Sequence, residues 1–295
     1  YKMYLMSFEL NGVEDWGLVS PERGIVCPSS QWKGDKGWNS LLDFIKAEGI
    51  EGIEKIKNIE FDNGVSLDAV KILAPIPKPS RNIICVGKNY MDHIQELSSD
   101  EDSNAQALEH PRFFTKATNT VIGPFDPIPL HKGITEQVDY EAELAVIIGK
   151  RGANISEEEA MEYVFGYTIL NDVTARDLQR NHGQWFKGKS LDGFCPMGPW
   201  IVTWDEIPEP VELEISSYVN GEQRQKANTR MMIYKIPRLI SIISQGFTLE
   251  PGDIIATGTP AGVGMGFDPP KLLKANDRIR VEIEKIGYIE NIVQE

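Results

Sequence analysis

Hydrophobic and polar residues alternate over long parts of the chain, which is the pattern of half-buried β-strands. The clearest case is VDYEAELAVIIGK (138–150), where Asp139, Glu141 and Glu143 occupy every second position before an apolar run. Successive side chains of a strand point to opposite faces, so the three acids would share one face. Stacked carboxylates repel each other unless they meet water or share a cation. The pattern therefore predicts either a solvated strand face or a metal site.

Strand-like runs dominate from residue 111 onward, and the Asn-Gly pair of VNGE (219–222) predicts a hairpin between two of them. Helical spacing is confined to a few segments, and Asn39 or Ser40 is suited to cap the first of these. The predicted helices are WNSLLDFIKAEGIEGIEKI (38–56), MDHIQEL (91–97), SEEEAMEYVFGY (156–167) and KIPRLISIISQG (235–246). The balance favours a mainly β protein with some α, rather than alternating βαβ units.

A proline-rich stretch divides the predicted elements into two groups. PIPKPSRN (75–82) has little capacity for helix or sheet, and this makes it a linker candidate. The sequence thus predicts a small N-terminal α+β domain over residues 1–74 and a larger β-rich domain over 83–295.

Composition narrows the range of partners and compartments. The formal charge of −14 argues against nucleic-acid binding, which needs a basic surface. No run approaches the roughly 20 apolar residues that cross a bilayer, and the first residues lack the features of a signal peptide. Cys27, Cys85 and Cys195 are widely spaced and odd in number, which is typical of a reducing compartment. We therefore expect a cytoplasmic protein without a membrane or nucleic-acid partner.

A further acid follows the apolar run of GYTILNDVTARDLQ (166–179). Asp172 stands before a turn or helix start, where the commonest role of Asp is to cap the helix. The alternative is that it reaches an adjoining strand and joins Glu141 and Glu143. Three carboxylates without sulfur would suit Mg²⁺, Mn²⁺ or Ca²⁺.

Two other groups are candidates for chemistry. Lys189, in GQWFKGKSLDGF, could bind an anionic substrate group or balance the charge of metal ligands, or it could be a solvated surface lysine. His93 and Glu96 are three residues apart and would be neighbours on a helical turn. Such a pair can orient an imidazole as a general base, although an idle exposed pair would have the same spacing.

GTPAGVG (258–264) is a glycine-rich loop after a predicted strand. It matches neither the phosphate-binding P-loop pattern nor the dinucleotide-binding pattern. Glycine lets a backbone come close to other groups, so we expect this loop to approach a small ligand.

Six segments occur together in a recognisable order: RNIICVGKNYMDH, FFTKATN, VDYEAELAVIIGK, NDVTARDLQ, GKSLDGFCPMGP and GDIIATGTPAGVG. With them the chain resembles the fumarylacetoacetate hydrolase family over roughly residues 80–295. It is similar to members with an extra small N-terminal domain, such as bacterial oxaloacetate decarboxylases and related diketo-acid enzymes. The resemblance implies a mixed β-sandwich roll as the catalytic domain and a homodimer.

The resemblance also implies roles for individual residues. Glu141, Glu143 and Asp172 would hold Mg²⁺ or Mn²⁺, and Lys189 matches the active-site lysine. Asp139 is not a ligand in the family pattern.

Further positions implied by the resemblance concern the substrate. His93 and Glu96 match the pair that activates water in hydrolytic members. Lys116, Gln179 and Thr259 fall at substrate-contacting positions. The segment between Glu96 and Pro111 corresponds to a lid that tends to be disordered until a ligand binds.

The implied activity is metal-dependent cleavage of a C–C bond in a small anionic 2-oxo or 2,4-dioxo acid through a pyruvate enolate. Decarboxylation of oxaloacetate is placed first because the two-domain layout resembles decarboxylating members. Hydrolysis of an acylpyruvate, with His93 as the base, is the alternative, and isomerisation or tautomerisation of a hydroxymuconate-type diacid is a third. A non-enzymatic role as a partner-binding regulatory protein is the alternative from another class.

Overall fold

Strands make up most of the regular structure, as the alternation predicts. A computed structural model describes residues 3–61, 63–97 and 109–295. The strands of these residues are β1 (Tyr4–Leu10), β2 (Val13–Ser20), β3 (Ile25–Pro28), β4 (Val65–Ser66), β5 (Lys71–Ile72), β6 (Ile83–Gly87), β7 (Arg112–Lys116), β8 (Val121–Ile122), β9 (Ile128–Pro129), β10 (Val138–Asp139), β11 (Ala142–Ile148), β12 (Val164–Asn171), β13 (Thr174–Ala175), β14 (Cys195–Thr203), β15 (Glu214–Val219), β16 (Glu222–Asn228), β17 (Ile254–Ala256), β18 (Arg278–Ile283) and β19 (Gly287–Gln294).

The α-helices of the described residues are short. They are α1 (Leu41–Glu48), α2 (Glu51–Ile56), α3 (Met91–Leu97), α4 (Arg176–Asn181), α5 (Phe186–Lys189) and α6 (Ile236–Ile243). Ser40 caps α1 in a capping box with Asp43, as one of the two predicted caps. The helix predicted over 38–56 is two helices, because the chain turns at Gly49 with a φ of +55°.

One predicted helix is wrong. Residues 156–167 contain a 3₁₀ turn at Ala160–Tyr163, and the chain then continues as β12. β12 pairs with β11 on one side and β14 on the other, and it is buried along its whole length. The apolar and aromatic residues that suggest a helical face therefore fill a central strand, whose pairing overrides local preference.

The strands form one large sheet and two smaller ones. The large sheet has twelve strands in the order β4-β3-β2-β1-β14-β12-β11-β17-β6-β7, with β5 beside β1 and β8 beside β14. A five-stranded sheet has the order β16-β15-β18-β19-β9, and β10 pairs with β13. The predicted hairpin at 219–222 is confirmed, since it joins β15 to β16 with Asn220 and Gly221 at positive φ.

Alternate residues of β11 pack into different cores, as the alternation predicts. Leu144 and Val146 lie in the core that also contains Ile215 and Val281 of the five-stranded sheet. Ala145 and its neighbour Ile147 lie in the core that contains the α1 residues Phe44 and Ile45. The large sheet is thus covered by a second sheet on one face and by helices on the other, which confirms a mainly β fold with a sandwich core.

The N-terminal strands extend the same large sheet. β1 is antiparallel to β14, with Tyr4 opposite Val202 and Leu5 opposite Ile201. One sheet therefore crosses the predicted linker, and a division into domains 1–74 and 83–295 stays a prediction. None of the helices in the described ranges has the length and apolar character needed to cross a membrane.

Candidate active site

The pairing of β11 with β12 brings three acidic residues together. Ala142 lies opposite Asn171, so Glu141 and Glu143 flank the end of β12, where Asp172 follows. The Asp172 N–H donates to the Glu141 carbonyl at 2.9 Å, and the Glu141 N–H donates to Asn171 Oδ1 at 3.0 Å. One carboxylate oxygen from each acid lies within 4.8 Å of the other two, and all three residues are buried. We call Glu141, Glu143 and Asp172 the acidic cluster.

Asp172 does not cap a helix. The next helix, α4, begins at Arg176, and its cap residue Ala175 has no side-chain hydrogen bond to the helix. The Asp172 carboxylate instead accepts hydrogen bonds from the ammonium groups of Lys116 and Lys189, each at 2.7 Å. The side chain therefore belongs to the site, and the helix-capping alternative is wrong.

Buried cations neutralise part of the cluster. Lys189 Nζ donates to Glu141 Oε2 at 2.9 Å, and Arg176 Nη1 lies 2.8 Å from Glu141 Oε1. Burial alone would raise the pKa of Glu141, but Lys189 and Arg176 outweigh it and lower the pKa to about 2. Burial likewise opposes the charge of Lys189, yet Asp172 and Glu141 raise its pKa, so this lysine stays an ammonium ion.

Glu143 is in a different electrostatic position. Its Oε2 accepts the Gly258 N–H at 2.9 Å, and among the described residues it forms no ion pair within 4 Å. Burial raises the pKa of Glu143 well above its usual value, and the neighbouring Asp172 and Glu141 carboxylates raise it further. The charged form of Glu143 is thus disfavoured here, and a divalent cation in contact with it would favour that form. Three buried carboxylates without sulfur fit Mg²⁺ or Mn²⁺.

A cavity of about 420 Å³ adjoins the cluster. Glu141 and Lys189 form part of its wall, and Phe114 and Trp185 pack edge to face beside them, with ring centroids 5.2 Å apart. Three cations that remain partly exposed to solvent also line it: Lys88, Arg112 and Arg180. We call these three the rim cations. The cavity therefore has carboxylates on one side, and cationic and aromatic side chains surround them.

His93 lines this cavity and is paired with Glu96. His93 Nδ1 lies 2.8 Å from Glu96 Oε1, and only about 4% of His93 is exposed. A carboxylate ion only accepts hydrogen bonds, so beside such an ion a neutral imidazole at this position would carry its hydrogen on Nδ1 and its lone pair on Nε2. The pair can therefore take up a proton at Nε2. The predicted lid falls largely on residues 98–108, which lie outside the described residues.

The predicted substrate residues are placed differently from one another. Thr259 and Gln179 line the cavity. Lys116 is fully buried, and its ammonium group donates to Asp172 Oδ1, to the Val173 carbonyl at 3.0 Å and to the Lys189 carbonyl at 2.6 Å. Its three donors are thus used within the protein. This geometry does not support a direct contact of Lys116 with substrate, and it makes Lys116 a support for Asp172.

Sequence reasoning missed Arg176, which is buried and lines the cavity. It bridges two of the alternating acids, because its Nε donates to Asp139 Oδ2 at 2.9 Å while Nη1 faces Glu141. Within the described ranges its Nη2 has no hydrogen-bond partner. In the sequence, the only indication that Arg176 belongs to the site is its position four residues after Asp172. The rim cations were missed as well, since neighbours in space rather than in sequence place them at the cavity.

The glycine-rich loop does approach charged groups closely, but these belong to the protein itself. The backbone N–H groups of Gly258, Gly262 and Gly264 donate to Glu143, Glu96 and Asp139 at 2.9, 2.8 and 2.7 Å. Thr259 of this loop also lines the cavity, and the approach of the loop to a small ligand stays a prediction.

Comparison with known proteins identifies relatives of this chain. The family described as fumarylacetoacetate (FAA) hydrolase C-terminal matches residues 82–294. Oxaloacetate tautomerase YisK of Bacillus subtilis is 55% identical over 226 residues, covering 77% of this chain and 74% of the relative.

Solved structures show the same fold. The fumarylacetoacetate hydrolase of Exiguobacterium antarcticum is 44% identical with a TM-score of 0.85, covering 99% of both chains. A maleylpyruvate hydrolase from Sphingobium sp. SYK-6, solved with manganese(II) and pyruvate, is 31% identical with a TM-score of 0.78, again covering 99% of both chains. The chain therefore belongs to the fumarylacetoacetate hydrolase family.

Proposed function

We propose that the protein is a divalent-metal-dependent enzyme that interconverts the enol and keto forms of oxaloacetate. The observation that carries this proposal is the buried acidic cluster beside a cavity that also contains His93 and the rim cations. The similarity to a protein named oxaloacetate tautomerase supports the choice of substrate.

Glu141, Glu143 and Asp172 would hold the Mg²⁺ or Mn²⁺ ion. When bound there, such an ion polarises the 2-oxo group of the substrate and so makes the C3 hydrogen more acidic. The manganese in the structure of the related maleylpyruvate hydrolase supports Mn²⁺ without favouring it over Mg²⁺.

The protein's own groups would move the proton and hold the charge. His93 accepts the C3 proton at Nε2, because Glu96 keeps the other ring nitrogen protonated. Lys189 lies in the cavity wall as an ammonium ion and stabilises negative charge on the substrate oxygen. The enolate oxygen then takes a proton from solvent to give the enol. In the reverse direction the proton of the enol hydroxyl leaves to solvent and the protonated His93 returns its proton to C3, so one pair serves both directions.

The rim cations favour tautomerisation over decarboxylation. Lys88, Arg112 and Arg180 are placed to hold the second carboxylate of a dicarboxylic acid. Holding that group as an anion stabilises the ground state, and this opposes its loss as neutral CO₂. Decarboxylation, placed first from the sequence, therefore becomes the lesser proposal.

Hydrolysis of an acylpyruvate is the second candidate. The His93–Glu96 pair could hold a water molecule as readily as it accepts a proton. The related maleylpyruvate hydrolase supports this alternative, and a related 5-carboxymethyl-2-hydroxymuconate delta-isomerase supports isomerisation of a larger diacid.

The remaining sequence predictions are part of the proposal. We expect a homodimer, which rests on the resemblance to the family, and sedimentation analysis tests it. A cytoplasmic location rests on cysteine usage and composition, and fractionation of cells tests it.

The test uses oxaloacetate supplied as its enol, with Mg²⁺ or Mn²⁺ and with a chelator. Loss of the ultraviolet absorbance of the enol follows tautomerisation, and NMR detects pyruvate. We expect faster enol loss than with metal alone, no matching release of pyruvate, and a decrease of about 10²- to 10⁴-fold in His93→Asn. Pyruvate release at the rate of enol loss would establish decarboxylation instead. Turnover of acylpyruvate but not of oxaloacetate would establish hydrolysis.

A further inference from the structure

Asp139 is the one acid of the alternating series that lies outside the acidic cluster. It is fully buried, and four N–H groups point at its carboxylate. Oδ1 accepts from the backbone of Tyr140 at 2.9 Å and of Gly264 at 2.7 Å. Oδ2 accepts from Arg176 Nε and from the Met265 backbone, both at 2.9 Å. These bonds occupy the lone pairs of the carboxylate and leave none for a metal ion.

The loop that Asp139 binds also binds the proton-transfer pair. Two residues before Gly264, the Gly262 N–H donates to Glu96 Oε2 at 2.8 Å, while Glu96 Oε1 faces His93 Nδ1. A single short segment, residues 262–266, therefore contacts one carboxylate beside the acidic cluster and one beside the base. We call it the bridging loop.

The bridging loop needs glycine to make both contacts. A Cβ atom at Gly264 would lie 2.7 Å from Asp139 Oδ1, and one at Gly266 would collide with the Glu96 carboxylate. Gly262 has a φ of +104°, which an L-residue with a side chain rarely adopts. The glycines of the motif thus allow two carboxylates to approach the same backbone segment.

We infer that Asp139 is a positioning residue, which fixes Glu96 and His93 through the bridging loop and fixes Glu141 through Arg176. Both of its oxygens accept hydrogen bonds from the loop, and Oδ2 also accepts one from Arg176. The geometry of the base and the geometry of the acidic cluster are thereby linked through one buried carboxylate. The catalytic part of this inference rests on the proposed function, whereas the structural linkage does not.

The protection of the Gly262 N–H from hydrogen exchange distinguishes a positioning role of Asp139 from a merely structural one. Gly262 donates to Glu96 and has no bond to Asp139. If Asp139 only stabilised its own surroundings, loss of its charge would expose the N–H groups of Gly264 and Met265 to exchange. The Gly262 N–H would stay protected from exchange. If it positions the loop as a unit, the Gly262 N–H loses protection too.

Amide hydrogen exchange in Asp139→Asn tests this without any substrate. The amide group of Asn has one oxygen where Asp has two, so at least one pair of donors loses its acceptor. We expect exchange at Gly262 to accelerate about tenfold or more, together with exchange at Gly264 and Met265. Unchanged exchange at Gly262 would overturn the inference.

The matched control is Asp253→Asn. Asp253 is also a buried carboxylate, and it accepts from Arg81 Nη1 at 3.0 Å and from the Glu250 backbone at 2.8 Å. It lies at the opposite end of β17 from the glycine loop, so its loss should leave exchange at Gly262 unchanged. An equal acceleration in this control would show general destabilisation and contradict the inference.

A second variant covers the case in which Asp139→Asn does not fold. Gly264→Ala keeps the carboxylate but pushes a methyl group against Asp139 and the Lys271 carbonyl. We expect the same loss of protection at Gly262, whereas Gly37→Ala, which has open space, should have none. In Gly264→Ala the Mn²⁺ affinity should stay within about threefold of wild type, because the Asp139 carboxylate that holds Arg176 and the three carboxylates of the acidic cluster are all retained.

Kinetics add a test of coupling. Asp139→Asn and Glu96→Gln should each lower kcat, and the double variant should be less impaired than the product of the two effects, because Asp139 acts on His93 through the bridging loop and Glu96. Independent, multiplicative effects would contradict the coupling. If wild type does not act on oxaloacetate, the proposed function fails, while amide exchange still decides the linkage.

Discussion

The acidic cluster and the rim cations lie on the same cavity but differ in burial. Glu143 is about 1% exposed and Asp172 is fully buried, and their surroundings are fixed by the backbone pairing of β11 with β12. Lys88, Arg112 and Arg180 are partly open to solvent, and they lie on a turn, a strand end and a short helix. One region is buried away from solvent, and the other is exposed to it.

This difference assigns the two regions different tasks. Charges removed from water interact strongly, so each member of the cluster alters the ionisation of the others. Charges in contact with water are screened, and single contacts between them are weak. We therefore expect the acidic cluster to determine whether the reaction occurs, and the rim cations to determine which acid is preferred. Substitutions in the two regions should separate these effects.

The largest effect is expected from Glu143→Gln. Glu143 faces Asp172 and Glu141 without a cationic partner within 4 Å in the described part of the chain. The variant therefore removes a proposed metal ligand, and it also removes the repulsion between Glu143 and these two carboxylates. We expect Mn²⁺ binding to be lost and the tautomerisation rate to fall about 10³-fold. At pH 8 and without metal, the unfolding temperature of the variant should equal or exceed that of the wild-type protein. Calorimetry, the enol assay and thermal unfolding measure these, and retained Mn²⁺ binding would contradict the assignment.

A smaller effect of the same cluster is a dependence of metal affinity on pH. The pKa of Glu143 is raised in the metal-free protein, so a bound metal ion must displace a proton over the range between its usual and its raised pKa. Affinity for Mn²⁺ should rise by up to about tenfold per pH unit in that range and level off above it. The metal-free fold correspondingly loses stability as pH rises through the raised pKa, because a buried charge then forms.

Glu141 is the internal contrast for this titration. Its pKa is lowered to about 2, so it stays ionised over the same range, and its stabilising effect is lost only as the pH falls towards that value. Calorimetric titrations with Mn²⁺ between pH 5 and 9 test the sign. An affinity that decreases as pH rises would contradict the placement of Glu143 in the metal site.

The smallest effect is expected at the rim. Arg112→Gln should raise KM for oxaloacetate about three- to tenfold, leave kcat nearly unchanged, and have little effect on a 2-oxo acid with one carboxylate. The difference should shrink at high ionic strength, since the rim is exposed. Lys187→Gln, an exposed lysine outside the cavity wall, is the control. A fall in kcat with unchanged KM would show that Arg112 acts on the reaction and would break the division between the regions.

Local sequence patterns predicted those parts of the fold that depend on near neighbours. The faces of β11 follow from alternation, and the turn at Asn220–Gly221 follows from its residues. Alternation did not show that the strand is interrupted at Tyr140 and Glu141, which separates Asp139 from the cluster. The helix predicted over 156–167 failed because β12 gains more from two neighbouring strands than from its own helical pattern.

The site shows the same limit. Glu141, Glu143 and Asp172 stand near strand ends that a motif can identify. The burial of Lys116 and the bridging contacts of Arg176 depend on which segments of the chain meet in the folded protein. No spacing of residues in the sequence encodes which segments meet. The glycine pattern predicts a close approach of the loop to other groups, and the carboxylates of the protein that it contacts follow only from the packed structure.

The most direct test of the central claim is deuterium incorporation at C3 of oxaloacetate in D₂O, followed by NMR with Mn²⁺ present. Wild-type protein should incorporate deuterium faster than metal alone and faster than pyruvate is formed, and Glu143→Gln should show no acceleration. Equal acceleration by wild type and Glu143→Gln, or pyruvate formation that precedes any exchange at C3, would contradict proton transfer directed by the acidic cluster.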